Sequence, residues 1–470
     1  MGMRLVCVGG SDAGIAAALR ARELEPGCEV TVVLADAYPN FSICGLPYAI
    51  SEEVARWQDL AHRSAEDLEA TGMRLRTDTE ARSIDVATRQ LLVNTPDGRD
   101  ELLPYDQLVI GTGATPVLPP IDGLTPSGTT PGLGPADGVH MLHTMGDMFA
   151  VLDSIRERQV EHAVVVGAGY IGIEMADALT VRGISVTQVE QLSQVLPTVD
   201  TELANIVEAE LTSHGVEVLT STKVTRVALD HTRLRVTGDP GLNCTVDLVL
   251  VVVGVQPDTT LAQTAGVTLG TRGAIVVDDH MRTGVPNVFA AGDCVHTHHR
   301  LLAEPTYLPL GTTAHKQGRV AGENAVGGDR AFPGSLGTQV VKAFDLAIAR
   351  TGLRDNEAAA AGYQPQTVAS EADDHKRYYP GAHELALRVT GDTETGLLLG
   401  MQLVGHKDAA VAKRVDIAAT ALFARLTVDQ VSDLDLAYTP PLGSPWDAVQ
   451  VATQTWERSV TPGDRQSHDP

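Results

Sequence analysis

A chain of 470 residues has room for about three domains of ordinary size, and with 43% hydrophobic residues it can bury a large core, which excludes global disorder. A formal net charge of −25 argues against nucleic acid as a partner and against docking on anionic membranes, since both need clustered Lys and Arg. The five cysteines are odd in number and scattered, which excludes a secreted disulfide framework and fits a reducing compartment.

The opening MGMRLVCVGG has no apolar stretch of signal-peptide length, and no segment reaches the ~18 apolar residues of a membrane span, so a cytoplasmic protein is expected. Arg4 to Val8 is apolar and β-prone, Ile15 to Glu25 is helical, and Val30 to Leu34 is a second buried strand. This is the β-turn-α-β opening of a doubly wound parallel sheet. Its loop carries Gly9, Ser11, Asp12 and Gly14, with Ser11 where a phosphate fingerprint has its middle glycine. The first carboxylate after the second strand is Asp36, the candidate for binding an adenosine ribose unless another group does so. Cys44 follows, before an expected helix from Leu46 to Ala55.

The run Ile121 to Gly138 is rich in Gly, Pro, Ser and Thr and reads as a surface loop or linker. The same grammar then repeats: strand Ala163 to Val166, loop Gly167 to Gly172, helix Ile173 to Val181, strand Val186 to Val189. Gly167 permits the tight turn, Gly169 lets backbone approach a pyrophosphate, and Gly172 lets helix and strand pack closely. Tyr170 and Ile171 complete this loop, and Gly254 joins the expected cofactor contacts. Glu190 ends the next strand, where an acid accepts a ribose 2′-hydroxyl and repels a 2′-phosphate, so NADH is expected over NADPH. Two such units mean two nucleotide sites or an ancient duplication. A Gly and Pro cluster at Ala331 to Gly337 opens a third region with strands in 338–353 and Leu385 to Val404, then a helix Ala409 to Leu426 and a frayed tail Thr461 to Pro470.

The run Thr283 to Asp293, ending Ala290-Ala291-Gly292-Asp293, resembles the second FAD fingerprint of the pyridine nucleotide-disulfide oxidoreductases. The run Tyr105 to Ala114, with Thr112 and Gly113 in its turn, is similar to the strand-turn that returns that family's chain to the flavin domain. The resemblance implies FAD at the first site, held at Asp293 through its ribityl chain, and a nicotinamide cofactor at the second. It implies an α/β fold: two Rossmann-like, doubly wound domains for FAD and NAD plus a C-terminal mixed α/β dimerisation domain. The expected segments are 1–120 and 279–330 for FAD, 121–278 for NAD(H), 331–460 for dimerisation and 461–470 as tail.

Many members carry two cysteines with four residues between them; here Phe41 to Tyr48 holds only Cys44, and the position five on is Ala49. The pattern resembles the single-cysteine branch of coenzyme A-disulfide reductases, persulfide reductases, NADH oxidases and NADH peroxidases. The run Leu434 to Pro441 is similar to the coenzyme A-disulfide reductase signature, whose tyrosine, here Tyr438, reaches the other subunit's cysteine. Oxidases and peroxidases carry a histidine where this chain has Asp12, and coenzyme A-disulfide reductases carry asparagine where it has Ile43. No rhodanese domain is expected after Asp447. The expected activity is NADH-linked reduction of a small disulfide, persulfide or polysulfide by a homodimer. The alternatives are an NADH oxidase, a flavin reductase serving a protein acceptor (a branch without a cysteine at the flavin), and a redox-responsive binding protein.

In that chemistry a thiolate attacks sulfur, and the N-terminus of the helix after Cys44 is expected to favour the thiolate. Tyr438 would donate a proton to the departing thiolate. Cys7 and Cys294 read as buried core residues. His296, His298 and His299 have poor spacing for a metal and read as a solvated loop near the flavin. Lys316 lies near the isoalloxazine in relatives, or caps a helix. No metal is expected.

Overall fold

The computed structural model describes residues 2–126 and 131–460. The expected tail 461–470 and residues 127–130 of the expected linker lie outside the described residues.

The β-prone run at the N-terminus forms strand Arg4–Val8, which centres a five-stranded parallel sheet. Its order runs Val288–Ala290, Gln107–Ile110, Arg4–Val8, Glu29–Val33, Arg74–Arg76. The inner strands Gln107–Ile110, Arg4–Val8 and Glu29–Val33 are largely buried, which is why they are mostly apolar, whereas the edge strand Arg74–Arg76 carries two arginines. Helix Asp12–Leu24 packs against helix Gly311–Ala325 from the far end of the chain. That approach is closer than side chains allow: a Cβ on Gly318 would lie 2.3 Å from the Ala13 carbonyl oxygen, and one on Gly322 2.2 Å from that of Ala17.

A second parallel sheet has the order Glu217–Leu219, Ser185–Val189, His162–Val166, Leu248–Val251, Val139–His140. The third region is a five-stranded antiparallel sheet: Gln339–Ala343, Leu346–Gly352, Leu398–His406, Glu384–Asp392, Pro365–Asp373. Helices Val411–Phe423 and Ala448–Ser459 cover it, and Trp456 is fully buried beneath them. The third sheet is also welded to the second domain, since Val341, Ala343, Ile348 and Val404 share a core with Ile173, Ala176 and Leu203.

Three expectations change. Leu261, Ala262, Val267, Ile275 and Val277 pack into the core of the first sheet, so we propose that the chain re-enters the FAD domain before residue 261 rather than at 279. The stretch from Ile121 is more than a surface linker: Ile121 and Leu124 are buried against Val227, and a Cβ on Gly123 would lie 1.9 Å from the Val227 carbonyl oxygen. The helix after Cys44 ends at Ile50, not Ala55, because Glu52 turns left-handed at φ 69°.

Candidate active site

The two glycine loops are built alike. Gly9 and Gly167 take φ of 113° and 104°, open to glycine and to few others. A Cβ on Gly14 would lie 2.0 Å from the Gly9 carbonyl oxygen, and one on Gly172 2.0 Å from that of Gly167. Each third glycine therefore lets its helix close onto its strand. The helices begin after Ser11 and Gly169, and neither N-cap side chain takes up the free N–H groups of the first turn.

Both loops open into one cleft of about 1810 Å³. Most of the expected site residues line it: Gly9, Ser11, Asp12, Asp36, Thr112 and Gly113 on the first side; Gly167, Gly169, Tyr170, Ile171, Glu190 and Gly254 on the second; Cys44, Asp293 and Lys316 between them. Gly14, Gly172 and Gly292 act from behind the wall. A Cβ on Gly292 would lie 2.8 Å from that of Ala13.

The wall fits a dinucleotide carrying a polyhydroxyl chain. Asp293 is half-buried, faces the cleft and forms no hydrogen bond with protein among the described residues. Burial, with Asp12 adding to it, pushes its carboxyl up to about 7. Ribityl hydroxyls are the donors such a carboxylate lacks. Asp36 sits at the other end of the first site, where its Oδ1 accepts from the Tyr38 N–H at 2.9 Å. Thr112 donates its hydroxyl to the Asp258 carbonyl at 2.6 Å, pinning the turn under the cleft. Lys316 donates to the Thr312 carbonyl at 3.1 Å, within its own helix.

Glu190 does something the sequence did not reveal. It is buried, its Oε2 accepts from the Ala168 N–H at 2.8 Å, and its Oε1 accepts from the Leu192 N–H at 2.9 Å. The acid expected to read a ribose also holds the glycine loop in shape.

Cys44 lies on a single turn, Ile43–Gly45, and is exposed to the cleft. The expectation of a helix-favoured thiolate is corrected. The following helix, Leu46–Ile50, has only five residues, and desolvation by the cleft walls around the accessible sulfur pushes the thiol up to about 11, with Glu174, Asp12 and Asp293 adding to it. Desolvation and three carboxylates outweigh one short helix. Asp12 is itself paired, its Oδ1 lying 3.2 Å from His315 Nε2, and this raises the pKa of His315.

Tyr438 does not line this cleft. It is exposed in the third region beside Tyr378, which is exposed too and which sequence reasoning missed. Leu442 and Trp446 stand exposed on the same segment. Cys7 and Cys294 are buried, as expected. The histidines are not a solvated loop: only His298 is exposed. His299 is buried, accepts from the Leu301 N–H at 3.2 Å and is pushed down to about 4 by burial, while His296 bonds the Val277 backbone.

Comparison with known proteins agrees with this geometry. The sequence profile of the pyridine nucleotide-disulphide oxidoreductases matches residues 3–318, and that of their dimerisation domain matches 338–448. The CoA-dependent NAD(P)H sulfur oxidoreductase of Pyrococcus furiosus is 35% identical over 450 residues, 95% of this chain and 98% of that protein. The coenzyme A disulfide reductase of Staphylococcus haemolyticus is 29% identical over 451 residues, 95% of this chain and 98% of that one. Among solved structures, the NAD-dependent persulfide reductase from A. fulgidus has a TM-score of 0.91 at 35% identity, covering 97% of this chain and 83% of that chain. The reduced CoADR-RHD of Bacillus anthracis has a TM-score of 0.92 at 31% identity, covering 98% of this chain and 81% of that chain.

Proposed function

This chain belongs to the pyridine nucleotide-disulphide oxidoreductase family, and from that premise we propose that it spends NADH to reduce a small disulfide, persulfide or polysulfide through Cys44. The observation that carries the reading is the single cleft: Cys44 opens into the same space as both glycine loops, and among the described residues no second cysteine lines it. Relatives named for polysulfide, persulfide and coenzyme A disulfide support the sulfur substrate.

FAD, when bound, accepts a hydride equivalent from the nicotinamide and delivers two electrons to sulfur. The protein's part is positional. Gly14 and Gly172 bring each helix N-terminus onto a pyrophosphate, Asp293 would take the ribityl hydroxyls, and Glu190 fixes the second loop. Cys44 would exchange with the substrate: its sulfur bonds to one substrate sulfur, the substrate S–S bond breaks, and the other sulfur leaves as a thiolate. Ile43, on the cleft wall beside Cys44, offers no hydrogen bond where coenzyme A-disulfide reductases have asparagine, which favours a small sulfur substrate over coenzyme A.

The active unit is read as a homodimer. The exposed Tyr438, Tyr378, Leu442 and Trp446 lie in or beside the matched dimerisation domain, and Tyr438 would reach the partner subunit's Cys44. The test has two parts. FAD-loaded protein is reduced with NADH under argon, and polysulfide, coenzyme A disulfide, glutathione disulfide and oxygen are offered in turn. Rapid turnover is expected with a sulfur acceptor; turnover with oxygen alone would establish the oxidase instead. Cys44→Ser should keep FAD and its reduction by NADH while losing about a thousandfold or more in sulfur turnover.

A further inference from the structure

Two histidines and a carboxylate from three distant segments meet beside the cleft, and no step of the sulfur chemistry uses them together. Asp12 opens the helix that follows the first glycine loop and lines the cleft. His315 lies near the start of helix Gly311–Ala325. His62 comes just after the single turn Trp57–Leu60, and its backbone N–H donates to the Asn40 carbonyl at 2.9 Å. Asp12 Oδ1 is 3.2 Å from His315 Nε2, and the His62 and His315 ring centroids are 6.3 Å apart. One ligand atom from each of the three residues lies within 4.8 Å of the other two. Gly311 leaves room for the second carboxylate oxygen, since a Cβ there would lie 2.8 Å from Asp12 Oδ2. Both imidazoles are exposed, and the His62 ring forms no hydrogen bond among the described residues, so it can turn.

We propose that Asp12, His62 and His315 form a site for a divalent transition-metal cation, with Zn²⁺ as its type: two imidazole nitrogens, one carboxylate oxygen and a fourth position left to water. The ligand chemistry fits. Imidazole with carboxylate suits zinc and its first-row neighbours, whereas Mg²⁺ and Ca²⁺ take oxygen ligands. The spacing fits too. Ligands about 2.0 Å from a tetrahedral zinc stand about 3.3 Å from one another. Asp12 and His315 are already at that separation, and only the exposed His62 has to close. Two other groupings of acids with histidine are already committed. Glu210 Oε1 accepts the Asp345 N–H beside His214, and Asp345 pairs with Lys407 at 2.7 Å. Next to Asp278, both ring nitrogens of His280 are taken, by Asp279 at 2.6 Å and by Asp329 at 3.1 Å. Arg63 and Lys316 stand near His315 and oppose a cation, but Lys316 is turned to the Thr312 carbonyl within its own helix. An ion held here would reverse the charge that Asp12 presents to the cleft and to Cys44.

The test uses binding of Zn²⁺ itself and no turnover. FAD-loaded Cys44→Ser protein, in which no cleft thiol competes for metal, is titrated with Zn²⁺ by calorimetry. One Zn²⁺ per chain is expected at the tightest site. His62→Ala and His315→Ala, each made in the same background, should weaken that site about tenfold or more, since even residues that only support a metal ligand are worth that much. His62→Ala removes no hydrogen bond of the fold among the described residues, so it serves if His315→Ala disturbs the flavin, which the flavin absorbance per chain would report. His214→Ala, which takes a ligand from one of the other groupings, should leave the tightest site as it was. Absence of Zn²⁺ binding in the parent protein, or a tightest site unchanged in both the His62 and His315 variants, would overturn the inference. The proposed function rests on Cys44 and sulfur turnover, so it would survive that failure, and its own failure would leave this Zn²⁺ titration unaffected.

Discussion

The two glycine loops share a backbone and differ in chemistry. At Gly9 and Gly167 the φ angles are within ten degrees, 113° and 104°, and the third glycines of the two loops meet the same carbonyl at the same 2.0 Å. Between these fixed points the loops diverge. The first has Ser11 where the second has Gly169, whose Cβ position faces open space. The first has Asp36, whose carboxylate accepts from the Tyr38 N–H of its own turn, where the second has Glu190 braced by two backbone N–H groups. The shared part closes a helix onto a strand; the divergent part meets the ligand. The first site adds Asp293, an uncompensated carboxylate, and the acid of the second is already satisfied by protein.

The largest expected effect breaks the shared part. Gly14→Ala or Gly172→Ala forces a Cβ into a backbone oxygen, an overlap costing about 3 kcal/mol or more. Gly14→Ala should purify with little FAD, read from the flavin absorbance per chain. Gly172→Ala should keep FAD but bind NADH about a hundredfold more weakly. Equal loss of both cofactors in each variant would mean that the loops are not independent.

The next effect separates the acids. Glu190→Gln removes the charge while keeping an acceptor for the Ala168 N–H, so the preference in kcat/KM for NADH over NADPH should shrink about tenfold. Glu190→Ala should also lower Tm, because it frees two loop N–H groups. An unchanged cofactor ratio in the Gln variant would assign Glu190 to holding the loop alone.

Asp293 sharpens the comparison through pH. Its folded pKa, about 7, lies above the ordinary aspartate value of 3.8, so the folded state binds the extra proton. Its contribution to stability is greatest below about 4, declines as pH rises, and is lost above about 7. FAD-free protein should therefore lose Tm between about pH 4 and 7 more steeply than Asp293→Asn does, and FAD should flatten the wild-type slope. Parallel slopes for the two proteins would remove Asp293 from the flavin site. The smallest effect is expected at the middle position: Ser11→Gly should leave Tm and FAD content nearly unchanged, because that position faces ligand rather than protein.

Much of this site was legible in the chain. Positive φ and a missing Cβ are local covalent properties, so Gly9, Gly14, Gly167 and Gly172 announce their turns in any context. Apolar strands followed by such loops fix the doubly wound order; the spacing of Glu190 from its loop, and for Asp293 the family resemblance of the run that ends in it, pointed to two residues that line the cleft. Tertiary structure decided what depends on distant neighbours. Asp12, His62 and His315 stand far apart in the chain, and nothing local gathers them. The proton affinity of Cys44 was misread because a helix can be expected from sequence, whereas desolvation depends on every wall of a cleft. His299 was misread for the same reason: burial is a property of the packed molecule, not of the loop that carries it. The packing of Leu261 and Ile275 into the first core was hidden too, because such residues look alike in either domain until the sheet they cover is in place.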